Sequence, residues 1–203
     1  MNRRRLSIAP IASVALFVGL YVVAAASYPG GTRAEPSRVG FSFADNYWCD
    51  VLDGTTYGGV PNPAAPIALG ATVILALGLA VLWWLAPALF PAARVRAFVV
   101  RGAGVVSGLV TPLIATKHHD LVINVAVLAG ALAFVIAMTA VRAREVRHLV
   151  ALAVFAFAAA TTNFVMWRAG WELHALPLVQ KGAFAFFLAW VLAFALRVRR
   201  AVQ

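Results

Sequence analysis

The chain has 203 residues, of which 63% are hydrophobic and 12% are charged. A soluble domain is nearer half apolar and a quarter charged, and so small a globule has too little interior for this much apolar surface. The composition therefore excludes an ordinary soluble protein, a disordered chain and a disulfide scaffold. A polytopic membrane protein of the all-α class remains, because helices satisfy every backbone hydrogen bond inside the bilayer.

Six segments are long and apolar enough to cross the hydrocarbon layer, which takes about 20 residues as a helix. We predict a bundle of six transmembrane helices that forms a single integral membrane domain over residues 1–203. The spans are predicted at residues 6–26, 66–90, 98–116, 121–141, 149–167 and 177–196. A barrel would instead need alternating segments of about ten residues.

The first span has two interpretations. Arg3, Arg4 and Arg5 precede an apolar run that ends in Ala24-Ala25-Ala26-Ser27, a pattern typical of a cleavable secretory signal. The run is longer than the apolar region of most signals, and the chain continues through further spans. We therefore favour retention of the first span. Cleavage would leave five spans and would not change the orientation of the others.

The formal charge of +10 comes from basic residues that lie in short clusters between the spans. This pattern fixes the orientation of a membrane protein and does not indicate nucleic-acid binding. Twelve of the 17 lysines and arginines lie on the side that also holds both termini. We expect both termini in the cytoplasm and the chain in a bacterial cytoplasmic membrane, the bacterial origin resting on the abundance of arginine and alanine.

The only long loop joins the first two spans, at residues 27–65, and we expect it to be external and structured. Asp45 is a favourable helix N-cap and Gly54 a favourable helix end, which predicts a short interfacial helix between them. One face of this helix would carry Tyr47, Trp48, Val51 and Leu52, and the other Asn46, Cys49, Asp50 and Asp53. The helix either caps the external mouth of the bundle or directs Asp50 and Asp53 into a site.

Cys49 is the only cysteine, so the chain has no intrachain disulfide. The absence of a CxxC pair argues against a thiol oxidoreductase. We interpret Cys49 as a small packed residue, with a cross-link to another chain as the alternative.

Four short motifs resemble a family of small bacterial six-helix membrane proteins of the domain-of-unknown-function type. They are Tyr28-Pro-Gly-Gly31, Asn46-Tyr-Trp-Cys-Asp50, Asn62-Pro63 and His119-Asp120. The resemblance covers most of the chain and implies the six-span layout. It implies no activity, substrate or catalytic residue.

Polar residues at the external ends of the spans are candidates for a site, because unpaired polar groups at this depth are costly. The candidates for catalysis are His119, Asp120, His174 and Asp50, and those for ligand binding are Lys117, His118, Asn124, Asn163, Glu172 and Lys181. Adjacent histidines on a helix diverge by about 100°, and no HxxxH pair is present, so we predict no metal and no cofactor. Alternatively, Asp120 caps the fourth span and the histidines lie among the lipid headgroups.

The third span contains Gly104 and Gly108, a pair of small residues that lets another helix approach closely. We expect a kink near Pro112. The glycine face packs either within the chain or against a second copy or another membrane protein.

Three functional hypotheses follow from these patterns. The first is a non-catalytic protein that binds a lipid headgroup or small ligand at its external face, with membrane lipids as partners. The second is a membrane-embedded hydrolase or transferase that acts on lipid, with His119 or His174 as base or ligand. The third is a small transporter, for which the spans offer no charged residue near the middle of the bilayer. We favour the first.

Overall fold

A computed structural model describes residues 2–116, 118–140, 143–171 and 175–203. For residues 114, 115, 119, 120 and 143–146 it describes the backbone alone. The fold is all-helical, with helices α1 (Arg3–Leu6), α2 (Ala9–Ser27), α3 (Ala65–Leu85), α4 (Arg94–Val110), α5 (His119–Ala140), α6 (Ala143–Ala169) and α7 (Leu176–Ala201). In the described ranges, the only β structure is two isolated bridges, both in the long loop (residues 28–64).

Six helical segments are long and apolar enough to cross a membrane, which confirms the predicted number. They comprise Arg3–Ser27, Ala65–Leu89, Arg94–Leu113, Leu121–Ala140, Arg147–Ala169 and Leu176–Ala201. The last helix runs beyond its predicted end at residue 196, because backbone hydrogen bonding continues past the apolar run into the turn that holds Arg199 and Arg200.

The helical backbone tightens near two prolines. Pro112 lies in a 3-10 segment, Thr111–Ala115, that directly follows α4. Proline has no N–H to donate and crowds the carbonyl four residues earlier, so the α-helical hydrogen bonds cannot continue through it. The predicted kink therefore takes the form of this change of helix type. A similar 3-10 segment, Ala86–Leu89, contains Pro87 and follows α3.

The chain forms two compact units. The first comprises Met1–Phe17, Thr72–Ala151 and Trp190–Gln203. Its core is aromatic: the ring of Trp190 lies 5.9 Å from Trp83, 5.3 Å from Phe194 and 5.5 Å from Phe134. These rings pack around fully buried aliphatic side chains, among them Leu82, Val100, Leu149, Val191 and Val198.

Gly104 and Gly108 lie against α3 of the same chain, within the first unit. A Cβ atom at Gly104 would come within 2.2 Å of Cγ of Trp83, and one at Gly108 within 3.0 Å of the carbonyl oxygen of Ala76. Real Cβ atoms do not approach so closely, so only glycine fits at Gly104. The pair therefore serves helix packing inside the chain.

The second unit comprises Val18–Ala71 and Leu152–Ala189 and contains the long loop. The loop begins with a narrow two-stranded turn, in which the amides of Gly31 and Gly40 donate to the carbonyls of Arg38 (2.7 Å) and Pro29 (2.9 Å). Gly30 has a φ of 131°, and a Cβ there would come within 2.1 Å of the carbonyl oxygen of Arg38. The turn therefore requires glycine at this position.

Candidate functional site

Asn46 lies at the centre of the hydrogen-bond network of the long loop, a role that the hydropathy of the sequence does not indicate. Its side chain is fully buried, and its amide nitrogen donates to the carbonyl of Gly31 (2.8 Å) and to the carboxylate of Asp50 (2.9 Å). Its amide oxygen accepts from the backbone N–H of Ser42 (2.9 Å). One side chain thus joins three segments of the loop, and a buried amide with these bonds fixes their relative positions.

The carboxylate of Asp50 is almost completely buried, at 3% exposure. Besides Asn46, it accepts from the backbone N–H of Tyr47 (2.8 Å) and, more weakly, from the hydroxyl of Tyr57 (3.4 Å). None of the described residues forms an ion pair with it. Burial raises the pKa of Asp50 above its ordinary value, while the hydrogen bonds from Asn46 and Tyr47 oppose that rise.

Asn62 connects this network to the beginning of α3. Its amide nitrogen donates to the carbonyl of Asp53 at 2.7 Å, and its amide oxygen accepts from the backbone N–H of Ala64 at 3.0 Å. The second bond forms a local turn between Asn62 and Ala64, the residue before α3. One buried side chain therefore holds the end of the loop where the chain enters α3.

Two neighbouring side chains of α7 hold the loop from the other side. The ammonium of Lys181, which is 6% exposed, donates to the carbonyl of Asn46 and to that of Pro177 at 3.2 Å. It also lies 5.7 Å and 5.2 Å from the ring centres of Phe41 and Phe43. The amide oxygen of Gln180 accepts from the backbone N–H of Trp48 at 2.7 Å. Lys181 is thus engaged by the protein itself, which favours an anchoring role.

An aromatic stack completes the attachment of the loop. The indole of Trp48 lies parallel to the ring of Tyr21 in α2, at 4.7 Å, and 6.0 Å from the ring of Phe184 in α7. Cys49 beside it is a free thiol, and burial, together with the charges of Asp50 and Asp53, raises its pKa to about 11. This environment agrees with the interpretation of Cys49 as a packed residue, because at neutral pH only a very small fraction of its thiol is ionised and reactive.

Arg33 and Arg38 are both exposed arginines of the loop, but their environments differ. The guanidinium of Arg38 donates to Asp45 at 3.0 Å and lies 3.8 Å from Glu35. The guanidinium of Arg33 instead lies 5.0 Å from the ring centre of Trp167, near the end of α6, and forms no ion pair with the described residues. Tyr47 meets the same indole edge-on at 6.2 Å. This Arg33–Trp167–Tyr47 cluster leaves a positive charge available to an anion.

Asn163 lies one helical turn before Trp167 on α6. Its amide oxygen is buried and has no hydrogen-bond partner among the described residues, although the residue as a whole is half-buried. A buried carbonyl without a donor costs free energy, so this group is suited to a partner other than the described residues. Asn163 is the predicted ligand-binding residue that this geometry supports most directly.

The short helix predicted between Asp45 and Gly54 is wrong. Residues 43–45 and 48–49 form turns, and only Asp50–Leu52 are helical, as a single 3-10 turn. The carboxylate of Asp50 binds the backbone N–H of Tyr47, which competes with continuous helical pairing. The predicted faces are also wrong, because burial selects the set Asn46, Tyr47, Asp50 and Val51.

The other predicted site residues are placed as follows. Asp50, Asn163 and Lys181 belong to the second unit, and His118 and Asn124, both exposed, belong to the first. The backbones of His119 and Asp120 form the first two residues of α5, so Asp120 is not the N-cap, and their side chains lie outside what the structure describes. Lys117, Glu172 and His174 also lie outside the described residues.

Sequence reasoning missed Asn46, Asn62 and Arg33. A weak signal was present: Asn62 directly precedes Pro63, and both residue types are typical of turns. Nothing in the sequence indicated that Arg33 would lie on Trp167. Among the described residues, no group of three or more histidine, cysteine, aspartate or glutamate side chains is placed to hold a metal ion.

Comparisons with protein-family models, with curated proteins and with solved structures find no match for this chain. The resemblance to a family of six-helix membrane proteins therefore stays a prediction.

Proposed function

We propose that this chain is a non-catalytic, multi-pass membrane protein that binds an anionic lipid headgroup at its external face. The surface involved is the Arg33–Trp167–Tyr47 cluster of the second unit. Arginine binds phosphate through two parallel hydrogen bonds, and tryptophan favours the depth of lipid headgroups. Both residue types therefore suit the phosphate of a membrane lipid.

The observation that carries the proposal is the contrast between Arg33 and Arg38. Both are exposed and both belong to one loop, but of the two only Arg38 forms ion pairs with carboxylates of the described residues. A cation that rests on an indole and lacks an acidic neighbour retains its attraction for an external anion. The buried network of Asn46 supports this, because a rigid loop loses little conformational entropy when the ligand binds.

The test compares two variants with the same change in charge. Native mass spectrometry with added dioctanoyl phosphatidylglycerol measures binding to the wild-type protein, to Arg33→Gln and to Arg38→Gln. We expect Arg33→Gln to weaken binding about tenfold, since a charge-assisted pair of hydrogen bonds is worth about 1.4 kcal/mol or more. Arg38→Gln should stay within about twofold of the wild type. Equal losses in both variants would reduce the effect to net charge and contradict the proposal.

The proposed orientation places both termini in the cytoplasm and the long loop outside. It rests on the excess of arginine on one side of the predicted spans. In a Cys49→Ser background, we expect a cysteine at Val39, a residue that is 90% exposed, to react with a membrane-impermeant maleimide on intact cells. A cysteine at Gln203 should react only after permeabilisation. The opposite result would invert the topology and remove the lipid-binding surface from the external face.

A further inference from the structure

The amide oxygen of Asn163 has no hydrogen-bond partner among the described residues. It therefore indicates which chemical group of the ligand lies next to the phosphate. Residues four apart lie on the same face of a helix, and four residues rise about 6 Å along its axis. Asn163 and Trp167 have this spacing on α6, and Trp167 supports Arg33. An exposed cation thus rests on a tryptophan that lies one helical turn from an acceptor without a partner among the described residues.

The direction of that turn decides which part of a lipid meets Asn163. α6 ends two residues after Trp167, so Asn163 lies deeper in the candidate span Arg147–Ala169 than the tryptophan does. A phosphate on Arg33 therefore has its glycerol backbone, and not its headgroup alcohol, on the side of Asn163. A diacyl lipid presents only ester oxygens there, which accept hydrogen bonds and cannot donate one to a carbonyl.

The amide of Asn163 is free to turn toward a ligand. Its oxygen makes no hydrogen bond with the described residues in its present position, so rotation about its last torsion breaks no bond of that atom. The residue as a whole is half-buried, so part of it is accessible to a ligand. The amide therefore both donates and accepts at this depth, and a free hydroxyl, which also does both, suits it better than an ester oxygen, which only accepts.

We infer that the ligand is a monoacyl glycerophospholipid, whose phosphate binds Arg33 and whose free secondary hydroxyl binds Asn163. This inference rests on the proposed function, since it names the class of lipid that the Arg33 surface takes. A free hydroxyl at the middle glycerol carbon distinguishes this class from the diacyl lipids that make up the bulk of a bilayer.

The test uses two probes that differ in one group. Native mass spectrometry measures competition between 1-oleoyl lysophosphatidic acid and the same lipid with its secondary hydroxyl methylated. The wild-type protein should prefer the free hydroxyl by about threefold to tenfold, as expected for one hydrogen bond. Asn163→Leu should bind both probes equally. Thr162→Leu, a polar-to-apolar change at an exposed residue of the same helix, should keep the preference.

The outcomes separate the inference from the function on which it rests. A wild-type protein without preference, in which Arg33→Gln still weakens both probes, overturns the inference and leaves headgroup binding in place. If Arg33→Gln weakens neither probe, headgroup binding itself fails. A change in the mass of the protein assembly in Asn163→Leu, with lipid preference intact, would assign Asn163 to a contact between copies and also overturn the inference. The comparison of probes on the wild-type protein stands even if Asn163→Leu does not fold.

Discussion

The two units of this chain are stabilised in different ways. The first unit is stabilised by close packing: aromatic rings surround Trp190, and two glycines leave room for Trp83 and Ala76. The second is held by hydrogen bonds, and it contains seven of the ten buried polar residues of the described ranges, including Asp50 and Lys181. We therefore expect added volume to be most damaging in the first unit and lost hydrogen bonds to be most damaging in the second.

The largest effect should come from Asn46→Ala. It leaves the carbonyl of Gly31 and the N–H of Ser42 without partners and removes a donor from Asp50. Unsatisfied buried groups cost about 1–3 kcal/mol each, so we expect a loss of about 4 kcal/mol in the opening free energy of the loop. The measurement is the rate of maleimide reaction at Cys49, the only cysteine.

A loss of that size should speed the reaction of the half-buried Cys49 by up to roughly 10³-fold, because each 1.4 kcal/mol is a factor of ten. Asn124→Ala, at an exposed asparagine of α5, is the control and should leave the rate unchanged. An unchanged rate in Asn46→Ala would mean that the loop keeps its structure without this side chain, and the contrast between the units would be lost.

The next prediction concerns the first unit, where added side-chain volume should be destabilising. Gly104→Ala places a Cβ atom within 2.2 Å of Trp83, and we expect it to destabilise the protein by about 3 kcal/mol because α3 and α4 must move apart. Gly102→Ala is the matched control on the same helix, since nothing lies within 4 Å of its added Cβ. Thermal unfolding in detergent should show a lower midpoint for Gly104→Ala and an equal or higher midpoint for Gly102→Ala.

The same contrast explains how much the sequence could predict. The six long apolar helices follow from apolar length, because an apolar run of about 20 residues pairs its backbone groups in a bilayer by forming a helix. The Asn46 network joins Gly31 to Asp50, and Lys181 reaches it from 135 residues away. No hydropathy pattern encodes such pairs, since a polar residue within a loop predicts exposure. The helix predicted from Asp45 to Gly54 failed for a local reason, the bond from Tyr47 to Asp50.

A smaller effect should come from Lys181→Met. The variant removes two hydrogen bonds to carbonyls and two contacts with aromatic rings, but it also removes the cost of a buried charge. The balance should be a loss of about 1.4 kcal/mol, which appears as a roughly tenfold faster reaction of Cys49. Arg168→Met, which removes an exposed cation near the end of α6, should not change that rate. A slower reaction in Lys181→Met would show that the lysine strains the loop instead of holding it.

The smallest effect concerns the charge of Asp50. Because burial raises the pKa of this carboxyl, the folded protein binds its proton more tightly than the unfolded chain does. Ionisation therefore costs the folded state free energy, and the contribution of Asp50 to stability falls as the pH rises from the ordinary value of 3.8 through the raised pKa. The effect is small because the donors from Asn46, Tyr47 and Tyr57 oppose the shift.

Asp50→Asn isolates this contribution, since an amide keeps the shape of the carboxylate. Its carbonyl can accept from Asn46 and Tyr47, and its nitrogen can donate to the hydroxyl of Tyr57. Unfolding by denaturant at a series of pH values should give a flatter profile for the variant, with the two proteins diverging most at the upper end of the range. A steeper decline in the variant would mean that the ionised carboxylate stabilises the loop, with the nearby charge of Lys181 outweighing burial. Electrostatic attraction would then stabilise the second unit together with hydrogen bonding, whereas close packing stabilises the first.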